Sequence, residues 1–263
     1  MPIQLEEIVS PLPSLAHRIE EASLNAWPAM QQILLDGWIL RFSKGFTKRS
    51  NSIIPLYPAS QNAFNSSSDA LLDKIRYCEN LYAREQLQTV FRLTSFNHHP
   101  SALDQVLHGR GYRAAETSLV LTHAHLTAEV TEQVEFINLE QWLAAYCALT
   151  GMTEPARTLH SLILKGIAGE CGFGVLYQDG LPSACGLAVV ERELVGLFDV
   201  FTSPSRRNQG IGTAMVSGLL SWGAARGAQR AYLQVVAGNE PATSLYRRMG
   251  FEEIYRYWYR IGH

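Results

Sequence analysis

No long apolar run occurs in these 263 residues, and none approaches the roughly 18–20 positions a bilayer-crossing helix needs. The opening "MPIQLEEIVSPLPSL" has neither the basic start nor the apolar stretch of a secretory leader, so the expectation is a cytoplasmic protein. Cysteine is scarce: Cys78, Cys147, Cys171 and Cys185 are far apart, with no CxxC pair and no short Cys/His spacing. That predicts four reduced thiols and no metal. His98-His99 and His123-Ala124-His125 lack partners at ligand spacing and read as loop or strand-end residues. Charge of one sign is missing too. The formal net charge is −2, so no global basic field draws the chain to nucleic acid or to a membrane, and neither partner is expected.

What is present is apolar material. Hydrophobic residues make up 47% and charged residues 17%, a balance that builds packed cores. The length fits one large domain or two ordinary ones. Residues 12–33 read as a mixed helical region, followed by a strand at 36–43, an extended stretch with proline, and a helix at 67–85. Strand, short helix and strand follow, from "TVFRLTSF" to "YRAAETSLVLTH", and 124–133 reads as a connector. The second half repeats the alternation. "FGVLYQDGLPSACGLAVVE" is a hairpin about Asp179-Gly180, and Ile211, Met215, Leu219 and Trp222 give a later helix one buried stripe.

The halves end alike. "ALDQVLHGRGYRAAETSLVLTH" and "ATSLYRRMGFEEIYRYWYRIG" both read as short helix, glycine stop, aromatic and strand. The reading is an α/β chain in two parts, 1–125 and 126–263, related by duplication. It would act as a monomer with an internal pseudo-dimer, or as a homodimer.

The stretch "SPSRRNQGIGTAM" lies between an apolar strand and a helical pattern. Its glycines let the backbone approach a ligand at a helix N-terminus, where the dipole favours anions. Arg206 and Arg207 would add charge-assisted hydrogen bonds to phosphate. A Walker A loop requires a lysine after the glycines, and none is there. A dinucleotide fingerprint requires a third glycine, where Met215 stands, and an acidic residue further on, where Gln229 and Arg230 stand.

A third pattern fits better. Pro204, Arg207, Gly210, Ile211 and Gly212 fall at the spacing of the coenzyme A pyrophosphate loop of the GNAT superfamily of acyl-CoA N-acyltransferases, which this stretch resembles. A second signature of that family, Asn239-x-x-Ala242-x-x-Leu245-Tyr246-x-x-x-Gly250-Phe251, follows in order. The resemblance covers about residues 133–263. It implies a mixed, mostly antiparallel sheet flanked by helices. It also implies that Arg206, Arg207, Asn208, Gln209, Gly210, Ile211, Gly212 and Thr213 hold the pyrophosphate of acetyl-CoA. In the same family the two strands 195–202 and 231–237 splay apart. Val200, Phe201 and Thr202 would then pair with the pantetheine arm, with Asn239, Ala242 and Tyr246 alongside. The implied reaction transfers an acetyl group directly from acetyl-CoA to an amine acceptor, without metal.

Such chemistry needs a proton acceptor for the amine, a polarised carbonyl and a proton for the leaving thiolate. Under the resemblance a backbone N–H near Val200 or Phe201 would hold the developing oxyanion, and Tyr246 would be the general acid. Asp199 is a candidate base; the alternative is a structural or substrate-orienting carboxylate. Strand alternation would put Asp199 on the face opposite Phe198 and Val200. The first half carries no such glycine loop and has Leu107 at the spacing of Tyr246. It would be a degenerate copy or an accessory α/β domain, and would wall the acceptor cleft or occupy the place of a dimer partner. Its basic stretch 42–52, "FSKGFTKRSNS", either faces a small anionic acceptor or is an exposed loop. Two functions stay open: an acetyl-CoA-dependent N-acetyltransferase, and a non-catalytic acyl-CoA-binding sensor.

Overall fold

A computed structural model describes residues 13–57, 68–96, 100–128 and 133–262; His98, His99 and part of the 124–133 connector lie outside them. The strands are β1 (Gln31–Leu35), β2 (Trp38–Phe42), β3 (Ile53–Pro55), β4 (Val90–Thr94), β5 (Arg113–Ala124), β6 (Glu135–Ile137), β7 (Glu170–Gln178), β8 (Leu181–Glu191), β9 (Leu194–Thr202), β10 (Arg230–Val236) and β11 (Glu252–Ile261). The helices are α1 (Leu15–Asn25), α2 (Ser68–Arg84), α3 (Pro100–Gly109), α4 (Leu139–Thr150), α5 (Glu154–Lys165), α6 (Ile211–Ala224) and α7 (Glu240–Arg248).

The 12–33 region differs from its sequence reading. Its helix stops at Asn25, and Gln31–Leu35 pairs with β2 as a hairpin. The turn is Asp36-Gly37, both with positive φ (44° and 79°), the conformation that two-residue hairpin turns demand. The later Asp179-Gly180 turn has the same geometry, with φ 53° and 74°.

Among the described residues the strands form a single sheet in the order β1-β2-β3-β4-β11-β5-β10-β9-β8-β7-β6. Only β3/β4 and β9/β10 are parallel. The fold is therefore α/β with a mixed, mostly antiparallel sheet, as expected. The interleaving at the centre sets the architecture. β5 pairs with β10 on one side and with β11 on the other, while β11 also pairs with β4. Each half of the chain thus lays its last strand between strands of the other half.

Alternation along the strands sorts the core into two faces. In β11, Tyr255, Tyr257 and Tyr259 pack with Trp27, Trp142 and Ile163 beneath α1, α4 and α5. Trp258, one residue out of phase, packs on the opposite face with Phe91, Leu103 and Leu107 beneath α2 and α3. In β5, Leu119 and Leu121 face α6 and α7, while Val120 joins the α1 face. One buried ion pair ties the layers together. Arg92 of β4 pairs with Glu20 of α1, and Tyr255 of β11 donates its hydroxyl to the same carboxylate at 2.5 Å. Both charged side chains are almost wholly buried, so each depends on the other for its solvation.

Candidate active site

Strand β9 begins as an ordinary central strand and ends as an edge. Leu194–Leu197 pair in parallel with Arg230–Leu233, and there the ladder between β9 and β10 stops. β10 continues to Val236 alongside β5. The cause lies in β9 itself. Against β8, Leu187 faces Phe198 and Cys185 faces Phe201, so β9 carries one extra residue between two paired positions. Asp199 sits in this bulge with φ 49°, a conformation that bends the strand away from its neighbour. The N–H and C=O edge of Val200–Thr202 turned toward β10 is left without a ladder partner.

The bulge also overturns the expected alternation. Asp199 does not lie on the face opposite Phe198: its carboxylate reaches His160 of α5 at 2.8 Å, and His160 packs beside Trp27, the ring that stacks on Phe198. Val200 points to the other face and packs with the α6 core, and Phe201 returns to the α1 face.

The gap is a cavity of about 440 Å³ that passes between the two faces of the sheet. Asn239, Ala242 and Tyr246 of α7 line one side of it. Asn239 caps that helix, accepting from the Ala242 N–H at 3.3 Å, and Pro241 occupies its first turn. Tyr246 is 8% exposed, and its hydroxyl makes no hydrogen bond among the described residues. Burial pushes that phenol up to about 12, so the oxygen keeps its proton at neutral pH.

The glycine turn leads from β9 into α6. Gly210 is the N-cap with φ 78°, and no side chain caps the helix or adds an acidic group to its first turn. The first amides of Ile211, Gly212 and Thr213 are therefore open to an anion. A Cβ on Gly212 would stand 3.3 Å from Leu245 and 3.4 Å from the Thr202 hydroxyl, so a bare backbone keeps the approach clear. Asn208, with φ 60°, and Gln209 are exposed in the turn. Arg206 and Arg207 part company. Arg206 pairs with Asp179 of the β7–β8 turn at 2.8 Å, whereas Arg207 is exposed and forms no ion pair among the described residues.

The opposite wall adds three groups that the sequence did not point to and one stretch that it did. Tyr257 and Tyr259 of β11 face the cavity, as does Gln234, which accepts from the Tyr257 hydroxyl at 3.3 Å. Thr47, Lys48 and Arg49, from the basic stretch between β2 and β3, complete that side. Lys48 is paired with Glu116 at 2.7 Å. The basic composition of 42–52 was the signal for this wall. His160 had none, because its partner is 39 positions away.

Over residues 14–260 the sequence matches the family described as "Probable histone acetyltransferase Rv0428c C-terminal". It is similar to the uncharacterized N-acetyltransferase YobR of Bacillus subtilis, 25% identical over 252 residues that span 93% of this chain and 97% of that protein. The fold is similar to that of a GCN5-related N-acetyltransferase from Kribbella flavida, with a TM-score of 0.70 at 19% identity over 94% of this chain and 95% of that one. A GCN5-related N-acetyltransferase from Sphaerobacter thermophilus gives a TM-score of 0.63 at 14% identity, covering 92% of this chain and 84% of its own. The chain belongs to the Rv0428c C-terminal family, and with it to the GNAT superfamily of N-acetyltransferases.

Proposed function

We propose that this N-acetyltransferase moves an acetyl group from acetyl-CoA to a primary amine by direct attack in a ternary complex. The acceptor would be a small molecule, an amino acid derivative or a peptide. One observation carries the reading: the strand edge that β9 leaves unpaired and Tyr246, whose hydroxyl has no partner among the described residues, border one opening in the sheet, and the uncapped N-terminus of α6 lies at the end of that strand, with Gly212 packed beside Thr202 and Leu245. These groups fit the donor. The open amides of α6 and Arg207, which forms no ion pair among the described residues, suit a pyrophosphate, and the β9 edge suits an extended arm containing amides. When bound, acetyl-CoA supplies the activated acetyl group.

The remaining steps fall to the chain's own residues. A free alkylamine has a pKa of roughly 10 and arrives protonated, so a base must take a proton before attack. Asp199 is that base in our reading, with one carboxylate oxygen held by His160 and the carboxylate at the cavity wall. A backbone N–H near Val200 or Phe201 stabilises negative charge that develops on the carbonyl oxygen. Tyr246, kept protonated by burial, gives its proton to the leaving sulfur, and the second amine proton, lost as the amide forms, restores the phenol. The first half supplies the acceptor wall through Thr47–Arg49, the part a partner subunit would otherwise have to play.

Calorimetric titration with acetyl-CoA tests the donor half of this reading. One site per chain, lost in Gly212→Glu, is the expected result, followed by acceptor-dependent release of free thiol. Absence of binding in the wild type would refute it, and thiol release without any acceptor would not support it.

A further inference from the structure

Arg49 has the surroundings of an arginine that waits for an anion. Its guanidinium lies 4.2 Å from the centre of the Trp27 ring and 6.0 Å from that of Phe198, at the wall of the cavity that also holds Asp199. It is half-buried and has no carboxylate or carbonyl partner among the described residues. Arginines in such positions ordinarily find one. The neighbouring charges are already satisfied: Lys48 is on Glu116, and Arg41 donates to the carbonyls of Leu24, Trp27 and Arg49 itself. A guanidinium stacked on an aromatic face keeps its in-plane N–H fork free, which is the geometry that receives a carboxylate.

The loop that presents Arg49 is braced rather than loose. Asn51 accepts from the Ser43 and Gly45 amides at 2.7 and 3.0 Å and donates to the Phe46 and Thr47 carbonyls at 2.8 Å each. The Trp27 indole N–H donates to the Thr47 hydroxyl at 3.1 Å, which fixes the ring under the guanidinium. The acceptor wall therefore has two opposite poles that do not pair with each other. Asp199 is held on His160, Arg49 is held on Trp27, and the rings of Trp27 and His160 are 5.5 Å apart between them.

We propose that the acceptor is a small amino-carboxylate, its amine directed at Asp199 and its carboxylate received by Arg49. The proposal rests on the acetyl-transfer reading above and deepens it. A cavity of about 440 Å³, shared with the donor's reacting end and closed on one side by the braced loop, suits a free small molecule rather than a peptide chain.

The test compares each of the twenty common amino acids with its decarboxylated amine, by calorimetric titration into the CoA-saturated protein. At least one amino acid is expected to bind about 10–100-fold tighter than its own amine. Arg49→Met keeps the packing on Trp27 and removes the charge; it should cut that ratio to within about 3-fold, while Arg49→Lys retains part of it. Amines that bind as tightly as the acids would overturn the proposal. So would a ratio that survives in Arg49→Met, failure of all twenty amino acids, or preference for a peptide with an acidic second residue. The same titrations without CoA read Arg49 independently of the donor, so a protein that discriminates the acids but binds no acetyl-CoA would sink only the donor assignment.

Discussion

His160 Nε2 stands 2.8 Å from Asp199 Oδ2, and the pair joins helix α5 to the bulge that opens the sheet. His160 is 1% exposed and surrounded by Trp27, Phe46, Trp142 and Tyr146, with ring centres 5.2–6.0 Å away. Its other nitrogen, Nδ1, is buried without a hydrogen-bond partner among the described residues. The tautomer with the proton on Nε2 satisfies the contact with Asp199 and leaves Nδ1 as a bare acceptor. The imidazole thus orients one carboxylate oxygen from a fixed, dry position, and Asp199 borders the cavity beside it.

Asp199→Asn separates a base from a structural carboxylate. The amide keeps the side chain's shape and can still bond to His160 through its oxygen. If Asp199 takes the amine's proton, turnover should fall about 10²–10⁴-fold while acetyl-CoA affinity stays within a few-fold. A structural role predicts the reverse pattern, with turnover near wild type and a lower midpoint of urea unfolding. Steady-state kinetics and unfolding on one preparation distinguish the two.

Tyr246→Phe removes only a hydroxyl, and that hydroxyl has no partner among the described residues to orphan. Turnover is expected to drop about 10²–10⁴-fold with little change in acetyl-CoA affinity. The pH profile adds a second check. Burial raises this phenol to about 12, so the acid form persists well above neutrality and cannot produce an alkaline limb below about pH 10. A rate that falls between pH 8 and 10 in wild type but not in Tyr246→Phe would keep Tyr246 as the acid and contradict only its raised pKa.

Much of this site was legible in sequence, and the misses share a cause. The glycine turn was legible because close backbone approach at a helix N-terminus demands glycine, whereas Asn239 and Tyr246 were named only through the resemblance to the GNAT signature. The Asp179-Gly180 hairpin was legible because a two-residue hairpin turn demands positive φ. Asp36-Gly37 carried the same signal, but the glutamines and leucines of 31–35 have no β-branched majority to mark a strand. The bulge at Asp199 was hidden, since Asp-Val-Phe does not declare a positive φ; tertiary pairing with β8 imposes it. The side that Asp199 faces could not be read from period-two alternation once a residue had been inserted. His160 and Arg49 become functional candidates only when the chain brings distant segments together.

Asp104 and Arg260 offer a test of how the first half grips the last strand. Arg260 of β11 donates to both Asp104 oxygens at 2.8 and 2.6 Å, and the Trp258 indole adds a third bond at 2.7 Å. The arginine's hydrogen bonds, with that of Trp258, hold the Asp104 carboxyl below its ordinary 3.8. A depressed carboxylate stabilises the fold above its unfolded pKa and loses that contribution as pH falls through the folded one. Asp104→Asn should therefore cost about 1 kcal/mol at pH 6, and the gap from wild type should close below pH 3.8. Urea unfolding at pH 6, 4 and 3 reads the difference, and a gap that widens in acid would reject the pairing.

The interleaved strands make a firm prediction about cutting the chain after residue 125. Residues 126–263 contain both sequence signatures and would bind acetyl-CoA alone if they formed a self-sufficient unit. In the sheet, however, β10 and β11 do not touch; β5 lies between them, paired to β10 from Arg230 to Val236 and to β11 from Glu252 to Ile261. Without β4 and β5 the fragment would expose one edge of β10, both edges of β11 and the buried faces of Tyr255, Tyr257 and Tyr259. Fragment 1–125 faces the matching loss, because β4 and β5 meet only through β11. Each fragment expressed alone should be insoluble or unfolded by circular dichroism, and co-expression should restore a soluble complex with acetyl-CoA binding. A 126–263 fragment that folds and binds acetyl-CoA alone would mean that the strand exchange is dispensable. In that case β5 would serve the acceptor wall rather than the donor site.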